Sequence, residues 1–188
     1  VRAGKPRPYN YTESVTLESV RSFRDYVAFI ADCTTNTQAV HGSRFCAWCI
    51  RRFIARFGNE YDLWDGLTEA ERAQLEGIVQ ELQASAANAQ PMSPDRALNL
   101  EALVMSLGVE NNGYTDVNAH ALALYSMVWC ALAWAARGEE HSLAQLSEEW
   151  INALDFEQTD PAYNNDTMFT FPDLRAELER QTAFLRRA

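Results

Sequence analysis

Apolar residues recur at three- and four-residue intervals in seven separate stretches of the chain, and no run alternates for long enough to suggest a strand. The first stretch, from about Thr16 to Asp32, brings Leu17, Val20, Phe23, Val27, Ile30 and Ala31 to one helical face and ends at Thr34-Thr35-Asn36. The second, Ser43 to Phe57, turns Phe45, Cys46, Cys49, Ile50, Phe53 and Phe57 inward, with Gly58 expected as a left-handed terminator. A capping box, Thr68-Glu69-Ala70-Glu71, opens the third, which carries Leu75, Ile78, Val79 and Leu82 to about Ala87. After a short loop from Asn88 to Met92, Ser93 followed by Pro94 opens a fourth helix and Gly108 closes it. Asn111-Asn112-Gly113 is expected as a turn.

The fifth stretch differs in kind. From Thr115 or Asp116 to Arg137-Gly138 it is apolar nearly all round, with no charged side chain between Asp116 and Arg137. This predicts a central helix, about 116–136, with the others packed about it. Its length raises the question of a membrane span, but it contains His120, Tyr125, Ser126 and two Trp, and its flanks carry no cationic bias. Ser142-Leu143-Ala144-Gln145 reads as a second capping box, opening a sixth helix with Leu143, Leu146, Trp150 and Leu154 inward and its acids outward. A polar loop from Thr159 to Phe169 follows, and Pro172 opens a last helix with Leu174, Leu178 and Leu185 on one side. There is no fixed repeat and no long linker. The fold class expected is all-α, a single-domain bundle of about seven helices in residues 16–188 behind a basic extension in residues 1–15.

Charge changes this picture, because the net value of −10 over 188 residues is unevenly spread. Residues 1–58 hold nine Lys and Arg against four Asp and Glu, whereas between Gly138 and Leu174 there are nine acids and no Lys or Arg. Those acids are Glu139, Glu140, Glu148, Glu149, Asp155, Glu157, Asp160, Asp166 and Asp173. Such a segment repels nucleic acid and anionic lipid and attracts a basic protein surface. Val1 to Tyr11 is basic and polar and lacks the pattern of a secretory signal, and the four cysteines sit in apolar helical contexts. A reduced, cytoplasmic protein is therefore expected. The triplets Asn10-Tyr11-Thr12 and Asn165-Asp166-Thr167 are read as chance matches to a glycosylation signal.

Three constellations are candidates for chemistry. Cys46-Ala47-Trp48-Cys49 at a helix N-terminus could lower a thiol pKa, as in the all-helical alkylhydroperoxidase type, where a His four residues after the second Cys relays protons. Phe53 occupies that place here, so two small apolar residues on a core face is the preferred reading. His41 with Cys46, and His120 with Cys130, lack zinc-site spacing, and His120 reads as a core or boundary residue. Arg44, Arg51, Arg52 and Arg56, joined by Arg21 and Arg24, could grip phosphates, but the protein's own acids are the preferred partners. No Gly-x-Ser-x-Gly elbow or Gly-rich phosphate loop is present, and no cofactor is implied.

The second half resembles a group of small helical bacterial proteins of unknown function, the YjaG-like group. The resemblance is carried by Asp116, Ala119, Ala123, Ala131-Leu132, Gly138, Ser147 and the closing Pro172-x-Leu174-x-x-Glu177-x-x-x-Gln181-x-x-Phe184-Leu185. Phe23 to Cys33 and Arg51-Arg52-Phe53 extend it more loosely into the first half. It implies an all-helical fold and no catalytic residues. In its size, acidity and lack of catalytic motifs the chain also resembles bacterial toxin-immunity proteins. The function expected is then non-enzymatic neutralisation of a toxin by occluding its basic cleft. Glu139, Glu140, Glu148, Glu149, Asp155, Glu157 and Asp160 form the expected docking face, with Tyr163 and Phe169 as anchors. A thiol redox enzyme using Cys46 and Cys49, and a housekeeping helical protein, are the alternatives. Genomic context is the cheapest discriminator among the three readings, since an immunity gene lies beside its toxin.

Overall fold

The computed structural model describes residues 15–107, 117–160 and 162–187. Among them are seven α-helices, two short 3-10 turns and no strand. The basic extension, the Asn10 triplet, Gly108, the Asn111-Asn112-Gly113 turn, and Thr115 and Asp116 lie outside the described residues.

The helices are α1 (Phe23–Thr34), α2 (Ala39–Phe57), α3 (Glu69–Ala87), α4 (Pro94–Met105), α5 (Ala119–Arg137), α6 (Glu140–Phe156) and α7 (Pro172–Leu185). Where a side chain caps the helix in the expected way, its start matches the sequence pattern. Thr68 accepts from the Glu71 N–H while Glu71 accepts from the Thr68 N–H, and the Ser93 hydroxyl accepts from the Arg96 N–H ahead of Pro94. Each such cap satisfies donors that the first helical turn leaves open.

Five helix boundaries depart from expectation. The first stretch is broken at Ser22, which caps α1 with Asp25 in a reciprocal pair, and Leu17–Ser19 form a separate 3-10 turn. Helix α2 begins four residues before Ser43, because Gly42 lets it press against the Trp134 indole. A Cβ at Gly42 would lie 2.3 Å from that ring. Gly58 is right-handed, with φ −67°, so it does not terminate α2 through a left-handed turn. Helix α5 opens at Asn118, whose Oδ1 accepts from the Ala121 N–H at 2.9 Å, and α6 opens at Glu140, leaving Ser142 buried inside its first turn. The left-handed turn falls instead at Gly138, with φ +65°, and only Gly138 and Glu139 separate α5 from α6. A connection that short makes them antiparallel neighbours.

Helix α5 is the centre of the bundle. Leu124, Met127, Val128, Cys130, Leu132 and Ala133 have no exposed surface, and α2, α4 and α6 all pack on it. By length and composition it could cross a membrane, yet 67% of its apolar window is buried by the rest of the fold. One stripe is only half-buried, Ala119, Leu122, Ser126, Trp129 and Ala136, which share one helical face. Across the bundle, α7 is held by a buried carboxylate: Glu177, 1% exposed, takes both guanidinium nitrogens of Arg52 at 2.8 Å and a bond from Gln181, which in turn accepts from the Tyr26 hydroxyl. The Arg52 guanidinium also lies over the Trp48 and Trp150 rings, at 4.5 and 5.1 Å.

Truncating Leu124 or Leu132 to Ala should cost about 2–5 kcal/mol in chemical denaturation, the range for large-to-small changes in a packed core. A loss well under about 1 kcal/mol at both positions would move the centre of the bundle to another helix.

Candidate functional site

Helix α6 forms a ridge with a cavity on each flank. On one side it faces the half-buried stripe of α5 across a cleft of about 560 Å³ that reaches Met105 at the end of α4. Gln145, Glu149, Asn152, Ala153 and Phe156 make the α6 wall, an i, i+4, i+7, i+8, i+11 series on one face. Leu122, Ala123, Tyr125, Ser126 and Trp129 line the opposite side. At the mouth Phe156 is 73% exposed and Met105 44% exposed, two large apolar side chains left in water. On the other flank, α6 faces Val27, Ala31, Thr34 and Thr35 across a second cavity of about 520 Å³, which also contains Glu140, His141 and Glu148. Gln145 and Glu149 line both cavities.

No Lys or Arg is among the described residues lining either cavity. Among the described residues Glu149 accepts one hydrogen bond, 2.8 Å from the Ser126 hydroxyl, although an ionised carboxylate can accept about four. Burial pushes the Glu149 carboxyl pKa up, against the Ser126 bond, and burial together with the Glu149 charge raises that of Glu148. Sequence reasoning placed the α6 acids outward, as a solvated face. The structure instead sets these two half-buried in grooves, because α5 and α1 close in on either side of the ridge.

Five further acids of the segment are engaged within the chain. Glu139 meets Arg137 at 2.7 Å and His141 at 3.3 Å, and Glu140 accepts from the Asn36 N–H. At the far end of α6, Asp155 accepts from the Tyr163 hydroxyl, Glu157 accepts from Arg56 and Tyr61, and Asp160 closes a turn onto the Ala162 N–H. Tyr163 packs edge-on to Phe171. Phe169 is 1% exposed and stacked on Tyr26, while its N–H bonds the Arg21 carbonyl. A ring in that place has no free surface to anchor a partner. The nine expected residues therefore divide: Glu140, Glu148 and Glu149 share the α6 grooves, Glu139 is paired with Arg137 and His141 at the α5–α6 connection, and Asp155, Glu157, Asp160, Tyr163 and Phe169 belong to the segment at and beyond the end of α6. Ser126, Trp129, Asn152, Phe156 and Met105 were missed. The signal for Phe156 was in the sequence, as an aromatic on the same helical face as Gln145, Glu149 and Asn152.

The other constellations are core structure. Because α2 starts at Ala39, Cys46 lies in its second turn and Cys49 in its third, beyond the reach of the N-terminal dipole, which fades within the first turn. Both are buried, and burial drives both thiol pKa values up, so the thiolate is disfavoured. Cys130 is likewise pushed up to about 12, mainly by burial. His120 stacks on Tyr61 with centroids 3.7 Å apart, and burial lowers its pKa while Glu157, 4.0 Å away, opposes the shift. Arg52 and Arg56 pair with the protein's own acids as expected, whereas Arg44 and Arg51 stay exposed. Among the described residues no three His, Cys, Asp or Glu are grouped to hold a metal ion. In comparison with known proteins, the chain matches no family model, no curated protein and no solved structure.

Two outcomes are expected. A raised carboxyl pKa contributes stability that is fully present below the unfolded value, about 4.3, and is lost as pH rises through the folded one. Glu148→Gln and Glu149→Gln should thus stabilise the protein relative to wild type at pH 7, with the gain vanishing toward pH 4. Urea denaturation at the two pH values reads this, and an equal difference at both would remove burial as the cause. Thiol titration of the native protein at pH 7 should detect Cys33, which is half-buried, and should reach Cys46, Cys49 and Cys130 only after denaturation. Fast native reaction at Cys46 or Cys49 would bring back the redox reading.

Proposed function

We propose that this chain is a non-enzymatic binding protein that docks a basic protein surface along the α6 ridge, in the manner of an immunity protein occluding a bacterial toxin. One observation carries the reading: two adjoining cavities share Glu149, contain Glu140 and Glu148, and have no Lys or Arg among the described residues lining them. A partner that supplies positive charge there relieves the desolvation of carboxylates that the fold itself leaves uncompensated. The exposed Phe156 and Met105 give the same surface an apolar anchor, as interface centres require. Relative to the sequence-based expectation, the acidic part of the docking face is narrower, reduced to Glu140, Glu148 and Glu149, and Phe156 at the C-terminal end of α6 replaces Tyr163 and Phe169 as the aromatic anchor.

The test pairs the protein with the product of the adjacent gene. Co-expression should restore growth of cells making that product, and the purified pair should bind with an association rate that falls steeply with salt. Glu148→Lys with Glu149→Lys should weaken binding by about 100-fold, given the ~1.5–3 kcal/mol typical of bonds to charged groups. Phe156→Asp should weaken it independently, and Asp160→Asn, at the far end, should leave it unchanged. Wild-type affinity in the first two variants would place the interface elsewhere. No protection and no complex would leave the immunity reading without support.

A further inference from the structure

We propose that the cleft between α5 and α6 is a site for an organic cation on an apolar stem, the ammonium or guanidinium of one Lys or Arg side chain of the docking partner. Glu149 serves as counter-ion, and the stem lies against Leu122, Trp129 and Phe156. This rests on the reading of the α6 ridge as a docking surface, but it concerns a smaller unit that can be tested without the partner.

The cleft volume of about 560 Å³ falls within the range of small-molecule sites, about 300–1,000 Å³. Its walls are apolar or aromatic except for Ser126, Gln145, Glu149 and Asn152, with Ser126 and Glu149 bonded across the cleft. Ser126 occupies Glu149 Oε1 and leaves Oε2 without a hydrogen-bond donor among the described residues. A half-buried carboxylate in apolar surroundings is stabilised most by a donor that is itself charged. Trp129 adds an aromatic surface over which such a head group gains cation–π attraction. Anions are repelled by Glu148 and Glu149 together. A neutral apolar guest would fill the volume yet leave Oε2 bare, so the cation is the occupant the cleft discriminates for.

The probe is 2-phenylethylammonium, titrated into the full chain by calorimetry and by ligand-observed NMR, with 2-phenylethanol and 3-phenylpropanoate as neutral and anionic matches of its size. Saturable binding of the ammonium near ~1 mM or tighter is expected for a ligand of so few atoms, with both controls at least about tenfold weaker. Glu149→Gln, which keeps the volume and a bond to Ser126, should remove most of that preference. Asn152→Lys, which places a cation on the cleft wall from an exposed position, should abolish ammonium binding, and far-UV circular dichroism confirms that both variants fold. Equal binding of alcohol and ammonium would reduce the cleft to an apolar pocket, and absence of binding to all three probes would overturn the site. Either result leaves the docking surface testable, since partner affinity in the Glu148, Glu149 and Phe156 variants is read separately. Ammonium binding with no protein partner found would keep the site and discard the occlusion role.

Discussion

Helix α5 has no charged side chain before Arg137, and the other helices are arranged by the need to cover it. An apolar helix of 19 residues in water is stable only when its surface is removed from solvent on nearly every side. Helices α2, α4 and α6 do this, and their own amphipathic faces are spent on the task. Gly42 is part of the same arrangement, since any larger residue would hold α2 off the Trp134 ring.

Coverage is incomplete along one stripe, and the candidate site lies there. Ala119, Leu122, Ser126 and Trp129 remain half-buried because α6, tied to α5 by a two-residue connection, turns its Gln145–Phe156 face along the gap without closing it. Ser126 is the polar exception on that stripe, and it meets the one carboxylate common to both cavities. Apolar surface, an under-bonded acid and an exposed aromatic therefore converge through one geometrical circumstance.

The charge asymmetry of the chain is resolved largely inside the fold. Arg52 and Arg56, from the basic first half, reach Glu177 and Glu157 in the second. These long-range pairs tie α2 to α7 and to the end of α6, and they withdraw part of the acidic segment from the surface. Breaking the Arg52–Glu177 pair from one side would strand a buried charge, so its role is structural. The half-buried carboxylates left without a cation are Glu148 and Glu149 in the middle of α6, and a partner's positive charge has most to gain there.

How much was legible beforehand depended on the range of the interaction involved. The all-helical class, the central helix, the inward faces of α2, α3 and α7, the caps at Thr68 and Ser93 and the start of α7 at Pro172 could be read from the chain, because periodicity and helix-start signals act over three or four residues. The starts of α2 and α6 could not, since Gln38 and Glu139 supply no capping side chain and tertiary packing decides those ends. Nor could the division of the acidic segment. Glu149 and Glu157 are the same residue type eight positions apart, yet one faces an apolar cleft without a cation while the other is met by Arg56 and Tyr61 from a distant part of the chain. Local sequence determined that these side chains lie on or next to one helix and carry charge. Which charge is neutralised within the fold and which is left for a partner was decided only by the packing of other helices around it, because desolvation and pairing depend on neighbours that sequence spacing does not contain.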